Sequence, residues 1–255
     1  MTALDMRGAV IPLALIAVAE LWARAVDLQS DSLAAPSAIF MAGAKALASG
    51  EMLAATGETL VCALGGLAIG FVLGAFTGIL LGIFRALDHL SEVTFELLRP
   101  IPSVALIPVA MLIFGFGYWT ETSIVAFTTF WPGFLLTRAA VRGVEPRLFE
   151  VVRSLEMNLP DTIRKIVVPA VLPRMFVALR LAAGISLIVA VTVEITANPV
   201  GMGARMMSAS QALRPDLTFA YLLWIGVVGW SLNAVMEFVQ KRLLGPAVPL
   251  PRSGA

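Results

Sequence analysis

Leu60–Phe84 is a run of 25 residues without a single charged side chain. About 20 apolar residues suffice to carry a helix across the hydrocarbon of a bilayer, where every backbone polar group must be satisfied within the segment. The run therefore predicts a membrane-spanning helix. Within it Gly66, Gly70, Gly74, Gly78 and Gly82 recur every four residues. Residues at that spacing share one slowly rotating face, and a face without Cβ atoms admits a second helix at close range. Packing within the chain is the simplest use of such a stripe, which marks a scaffold helix more than a solute path.

The rest of the chain repeats the message. Hydrophobic residues make up 59% of it and charged residues 14%, against about 25% charged in soluble domains. Five further segments qualify as spans, Ala9–Ala23, Leu98–Gly117, Thr122–Leu136, Ala170–Ala197 and Leu217–Val239, which makes six in a single domain over 1–255. Ala9–Ala23 lacks the basic start and small-residue cleavage site of a secretory signal, so it reads as an uncleaved helix at about 7–26, ahead of a core at about 57–243. Pro36 suits the first turn of a short amphipathic helix over Ser37–Ser49. Pro100, Pro102 and Pro108 predict a broken or kinked backbone in Leu98–Gly117. Irregular backbone at membrane depth lines a cavity or is buried in protein, which makes Arg99–Pro108, with Pro102 and Ser103, a candidate for a path; a packing kink is the alternative. Trp131-Pro132-Gly133 predicts another bend.

Lys and Arg set orientation. With a cytoplasmic N-terminus, Arg7, Arg85, Arg138, Arg142, Arg147, Arg153, Arg164, Lys165, Arg174, Lys241, Arg242 and Arg252 fall inside and Arg24, Lys45, Arg205 and Arg214 outside. Both termini and the polar stretch 146–169 are then cytoplasmic. Asn198–Asp216 is external, with Met202, Met206 and Met207 either an adaptable contact surface or a cap on the bundle.

Catalytic chemistry finds no support. The chain has one His and one Cys, no phosphate-binding Gly-rich loop ending in Gly-Lys-Ser/Thr, and no cluster spaced for a metal. The near-neutral charge gives no case for nucleic acid. His89, beside Asp88, reads as solvated. Energy for any transport must come from a partner or from an ion gradient. Inside the spans, Arg180 suits snorkelling or pairing with a carboxylate, and Ser186, Thr192 and Glu194 are path candidates on the span that follows the polar stretch. Glu194 also suits holding the outer loop. Glu20, Glu58, Glu121 and Glu237 sit near span ends, where solvation is the simplest account.

The polar stretch carries most detail. Apolar residues fall at helical spacing among Glu150, Arg153 and Glu156, and Asn158 with Pro160 supplies a stop and a restart. The pattern predicts two short amphipathic helices joined by a tight turn, and an amphipathic segment of this kind also suits the lipid surface. It resembles the Glu-Ala-Ala loop of ABC importer membrane subunits. The matching residues are Glu150, Val151 and Val152, then Glu156, then Ile166, Val168 and Pro169. Glu156 stands where that family has Gly, a residue free to take φ > 0, which leaves the turn geometry open. Ala35–Phe40, Leu97–Gly117, Leu179–Gly184 and Asp216–Ala220 extend the likeness to permeases of the nitrate/sulfonate/taurine type.

The resemblance implies an all-α, six-span permease of the type I (MetI-like) importer fold with cytoplasmic coupling helices. It implies two copies around a path and a cytoplasmic ATPase dimer that carries ATP and Mg, with no cofactor in this chain. It further implies a periplasmic or extracellular solute-binding protein, and a bacterial inner membrane location. ATPase contact would fall to Glu150, Val151, Arg153, Ser154, Leu155, Glu156, Met157, Asn158, Pro160, Ile166 and Pro169. The solute would be a small anion or organic solute such as nitrate, sulfonate or taurine. A gradient-driven transporter and a non-transporting assembly subunit are the competing classes; the first calls for paired halves that the sequence does not display.

Overall fold

The computed structural model describes residues 6–27 and 30–244, and these are helical or connecting, with no strand among them. The helices are α1 (Met6–Ala25), α2 (Pro36–Ala48), α3 (Glu51–Ile83), α4 (Arg85–Leu98), α5 (Ile107–Phe114), α6 (Tyr118–Arg142), α7 (Pro146–Ser154), α8 (Leu159–Thr162), α9 (Val168–Thr196), α10 (Met202–Gln211) and α11 (Pro215–Leu244). A 3-10 turn, Ser103–Leu106, precedes α5, and a π-helical turn, Ile163–Val167, joins α8 to α9.

The glycine stripe decides the centre of the bundle. α3 and α6 form the most extensive helix pair. A Cβ at Gly66 would strike Val125, one at Gly78 would lie 2.6 Å from the Phe134 carbonyl oxygen, and one at Gly82 would strike Val141. Close backbone approach of this kind is how helices associate where lipid leaves no hydrophobic drive between them. The register rises in step on both helices, so α3 and α6 run parallel. A chain that crosses twice in one direction must cross back between. Only α4 with Ser103–Phe114 is available for that return, and its two parts meet at 82°.

The span expected at Leu98–Gly117 is therefore different in kind. It is the second arm of a broken crossing whose first arm is the charged α4, and Pro100, Pro102 and Pro108 deny the bend a continuous hydrogen-bond ladder. α6 starts at Tyr118, where a turn was expected. The turn falls earlier, at Gly115 and Gly117, both at positive φ. Among the described residues four helices are long and apolar enough to cross a membrane, and the bent pair makes up to five, against the six expected. α1, 20 residues long, covers the run expected as the first of six.

α9 closes the bundle against α3 and α6. Ala178, Ala182 and Ala183 pack with Leu67, Phe71 and Ala75, and Val167 and Val171 pack with Ala140 and Val141. α11 and α2 complete one end, where Ala42, Met52, Met202 and Tyr221 share a core.

Candidate functional site

Three places hold the polar residues of interest, at one end of the bundle, in its side, and at the other end.

At the first end, α7 stops in a defined way. Met157 N donates to the Val152 carbonyl over 3.0 Å and Glu156 N to the Arg153 carbonyl over 3.1 Å, with Glu156 at φ +47. This is a Schellman stop, whose left-handed residue is usually Gly. Glu156 thus adopts the turn that Gly would allow. Asn158 then starts the next helix: its Oδ1 accepts from Asp161 N at 2.9 Å, and Pro160 sits in the first turn. The second short helix is not a separate piece, however. α8 runs through the π-helical turn into α9, because Val167 and Val171 are buried against the end of α6 and pull the segment into register with the span. Glu150, Arg153, Ser154, Leu155, Glu156, Asn158, Pro160 and Pro169 are exposed, and Met157 and Ile166 are half-buried. Leu155 is 66% exposed. Val151 lies on α7, its side chain outside the described residues. The eleven expected coupling residues thus form one outward elbow joined directly to a span.

Beside the elbow, Asp88 on α4 is 2% exposed, and Arg138 Nη2 donates to its Oδ2 at 2.6 Å while Arg142 pairs with the same carboxylate. The sequence signal was only an acid near His89. The partners lie 50 and more positions away, so nothing local marks them. His89 itself is exposed.

In the side of the bundle lies a cavity of about 570 Å³ lined by Arg99, Ile101 and Ser103 from the bend, Phe127, Thr128 and Trp131 from α6, and Leu181 and Ile185 from α9. Ser103 is on its wall and Pro102 is exposed next to it. Ser186, Thr192 and Glu194 do not line it. Ser186 is fully buried and donates to the Ala183 carbonyl, and Thr192 donates to the Ile188 carbonyl. Nearer the first end, Arg180 Nε donates to Asn233 at 2.7 Å, and its Nη2 lies 3.4 Å from Glu237, so it ties α9 to α11.

At the other end, the start of α10 is held by two spans, and the loop before it by a third. Gly203 N donates to Glu194 of α9 at 2.7 Å, Met202 N to the Thr59 hydroxyl at 2.9 Å and Gly201 N to Glu58 at 2.9 Å, both on α3. Asn198 donates to Glu121 of α6 over 2.5 Å. Acceptor oxygens at a helix N-terminus satisfy its free N–H groups. Glu121 is fully buried, which corrects the expectation of a solvated span-end acid: the loop after α9 folds inward and covers it. Met202 is also fully buried, so it belongs to the core, while Met207 is 38% exposed.

Residues 70–245 match the family model described as binding-protein-dependent transport system inner membrane component. The chain belongs to this family. The inner membrane component is 28% identical over 243 residues to a protein of Bacillus subtilis (strain 168) provisionally assigned as an aliphatic sulfonates transport permease, over 94% of this chain and 87% of that one. It is 28% identical over 185 residues to the nitrate import permease protein of Leptolyngbya laminosa, over 69% of this chain and 65% of that one. Among solved structures it resembles the inward-facing MetNI methionine ABC transporter, with a TM-score of 0.63 at 18% identity over 72% of this chain and 92% of the other. The last likeness shows the fold: this is the all-α, MetI-like architecture.

Proposed function

We propose that this inner membrane component is the permease half of an ATP-driven importer in which two copies enclose the path. A cytoplasmic ATPase dimer, which alone carries ATP and Mg, docks on the elbow of residues 146–169, and an external solute-binding protein delivers the solute. Both termini are cytoplasmic, in keeping with the Lys and Arg distribution. The solute is a small anion or organic solute of the nitrate, sulfonate or taurine class, as the names of the relatives suggest.

One observation carries the reading. The second arm of the exposed elbow, α8, continues through the π-helical turn into α9, whose N-terminal turn is packed on α6. A push on α7 and α8 is therefore delivered to two spans rather than absorbed in a loop. The ATP-bound partner would favour one arrangement of the spans by its differential affinity for it.

Affinity purification of the wild type and of Glu150→Arg from the native membrane tests this. We expect an ATPase to co-purify with the wild type and to be lost from the variant, with both proteins intact. Retention of the ATPase by Glu150→Arg removes the elbow from the interface, and its absence from both preparations removes the energy source.

A further inference from the structure

We infer that the lateral cavity at the bend is a contact site for the transported solute and that it takes a small anion, held by Arg99. The inference rests on the importer reading and adds where in the chain the solute is met.

The charge balance of the cavity is one-sided. Among the described residues its lining holds one cation, Arg99, and no carboxylate. Arg99 has no ion-pair partner among the described residues. The comparison with Arg180 is instructive, since that side chain is matched by Asn233 and Glu237. Arg99 is exposed, so its guanidinium at the helix break is open to an anion that reaches the cavity. Ser103, four residues on, stands on the same wall and its hydroxyl has no partner among the described residues, whereas the Thr128 hydroxyl is used by the Ile124 carbonyl. Trp131 also lines the cavity, and its Nε1–H, shielded from solvent, has no acceptor among the described residues. A guanidinium and a free hydroxyl on one wall, with apolar and aromatic surface around them, suit a small anion with one or a few oxygens.

The placement also suits transport. The lining comes from three elements: the break between α4 and α5, α6, and α9, which continues the elbow. A shift of α9 against α6 moves Leu181 and Ile185 relative to Arg99, so the site would widen or close with the coupling motion.

The test uses Trp131 as the reporter, in a full-length chain where the other four tryptophans, Trp22, Trp119, Trp224 and Trp230, are replaced by Phe. The protein is held in zwitterionic phosphatidylcholine nanodiscs, and iodide and nitrate are the anionic quenchers, with acrylamide as a neutral one. We expect saturable quenching by both anions at constant ionic strength. Its half-saturation should rise about tenfold in Arg99→Gln, since a charge-assisted hydrogen bond is worth about 1.5–3 kcal/mol and 1.4 kcal/mol is a factor of ten. Arg99→Lys should stay within about threefold, and Ser103→Ala should lose about threefold. Acrylamide quenching that is equal in all variants checks that they are folded alike. Anion quenching that does not saturate, or is the same in Arg99→Gln and Arg99→Lys, overturns the site. Arg99-dependent quenching that disappears in phosphatidylglycerol nanodiscs also overturns it, because the occupant is then a lipid phosphate. ATPase capture by the same preparations keeps the two readings apart: quenching without capture leaves the site and sinks the importer, and capture without quenching does the reverse.

Discussion

Glu156 occupies a backbone conformation that side chains other than Gly, Asn and Asp visit rarely. Its φ of +47 is set by the Schellman stop of α7 and the restart at Asn158, and its side chain is exposed. The left-handed conformation costs about 1 kcal/mol for a residue with a Cβ. Glu156→Gly should therefore raise stability by up to about that amount and Glu156→Val should lower it by as much or more, read as opposite shifts in Tm in detergent. Gly201 is the reverse case. At φ +100 it packs under the Glu194 carboxylate, which a Cβ would strike. Gly201→Ala should cost about 1–3 kcal/mol and loosen α10, measurable as faster amide hydrogen exchange in 201–211 with the spans unchanged.

At the scale of the helix, the α3–α6 contact depends on what is absent from α3. Its glycines from Gly66 to Gly82 face α6 backbone or β-branched side chains with no room for a methyl group. Gly74→Leu should destabilise by about 3 kcal/mol or more and lose the monodisperse species in size exclusion, since an overpacked helix contact is relieved only by moving a backbone. Gly226→Ala on α11 meets nothing within 4 Å and should be silent in the same measurement. The pair shows that a glycine in a span is informative only with its neighbour. The same holds for the prolines: Pro132 lies within α6 without ending it, whereas Pro100 and Pro102 help to end a helix at 82° to the next.

At the scale of the molecule, the polar interactions are placed at the ends of the bundle and join elements far apart in the chain. Asp88 links the return crossing to α6 through Arg138 and Arg142. Removing one partner of a buried pair costs about 3–5 kcal/mol, less here because Arg142 is partly in solvent. Asp88→Asn should thus lower stability by about 2–3 kcal/mol and free α4, with cysteine labelling at Leu87 or Ser91 accelerated and the ATPase still bound. At the opposite end the carboxylates of Glu58 and Glu194 and the hydroxyl of Thr59 hold the start of α10, so that segment moves with α3 and α9 rather than as a loop.

Much of this was determined by local chemistry and is legible in the sequence. Apolar runs of sufficient length can satisfy their backbone only as spanning helices. Gly at every fourth position must face a close neighbour, and Asn158 with Pro160 caps a helix wherever it is placed. What the tertiary structure alone decided are the pairings between distant segments. The parallel run of α3 and α6 turned the proline-rich stretch into one arm of a bent crossing. Burial of Val167 and Val171 on α6 fused α8 to α9, and the inward fold of Asn198 buried Glu121. It also matched Arg180 and left Arg99 at a cavity with no ion-pair partner among the described residues. A charged residue near a span end looks the same in sequence whether it meets water, a carboxylate or nothing, because its cost depends on which atoms surround it after packing.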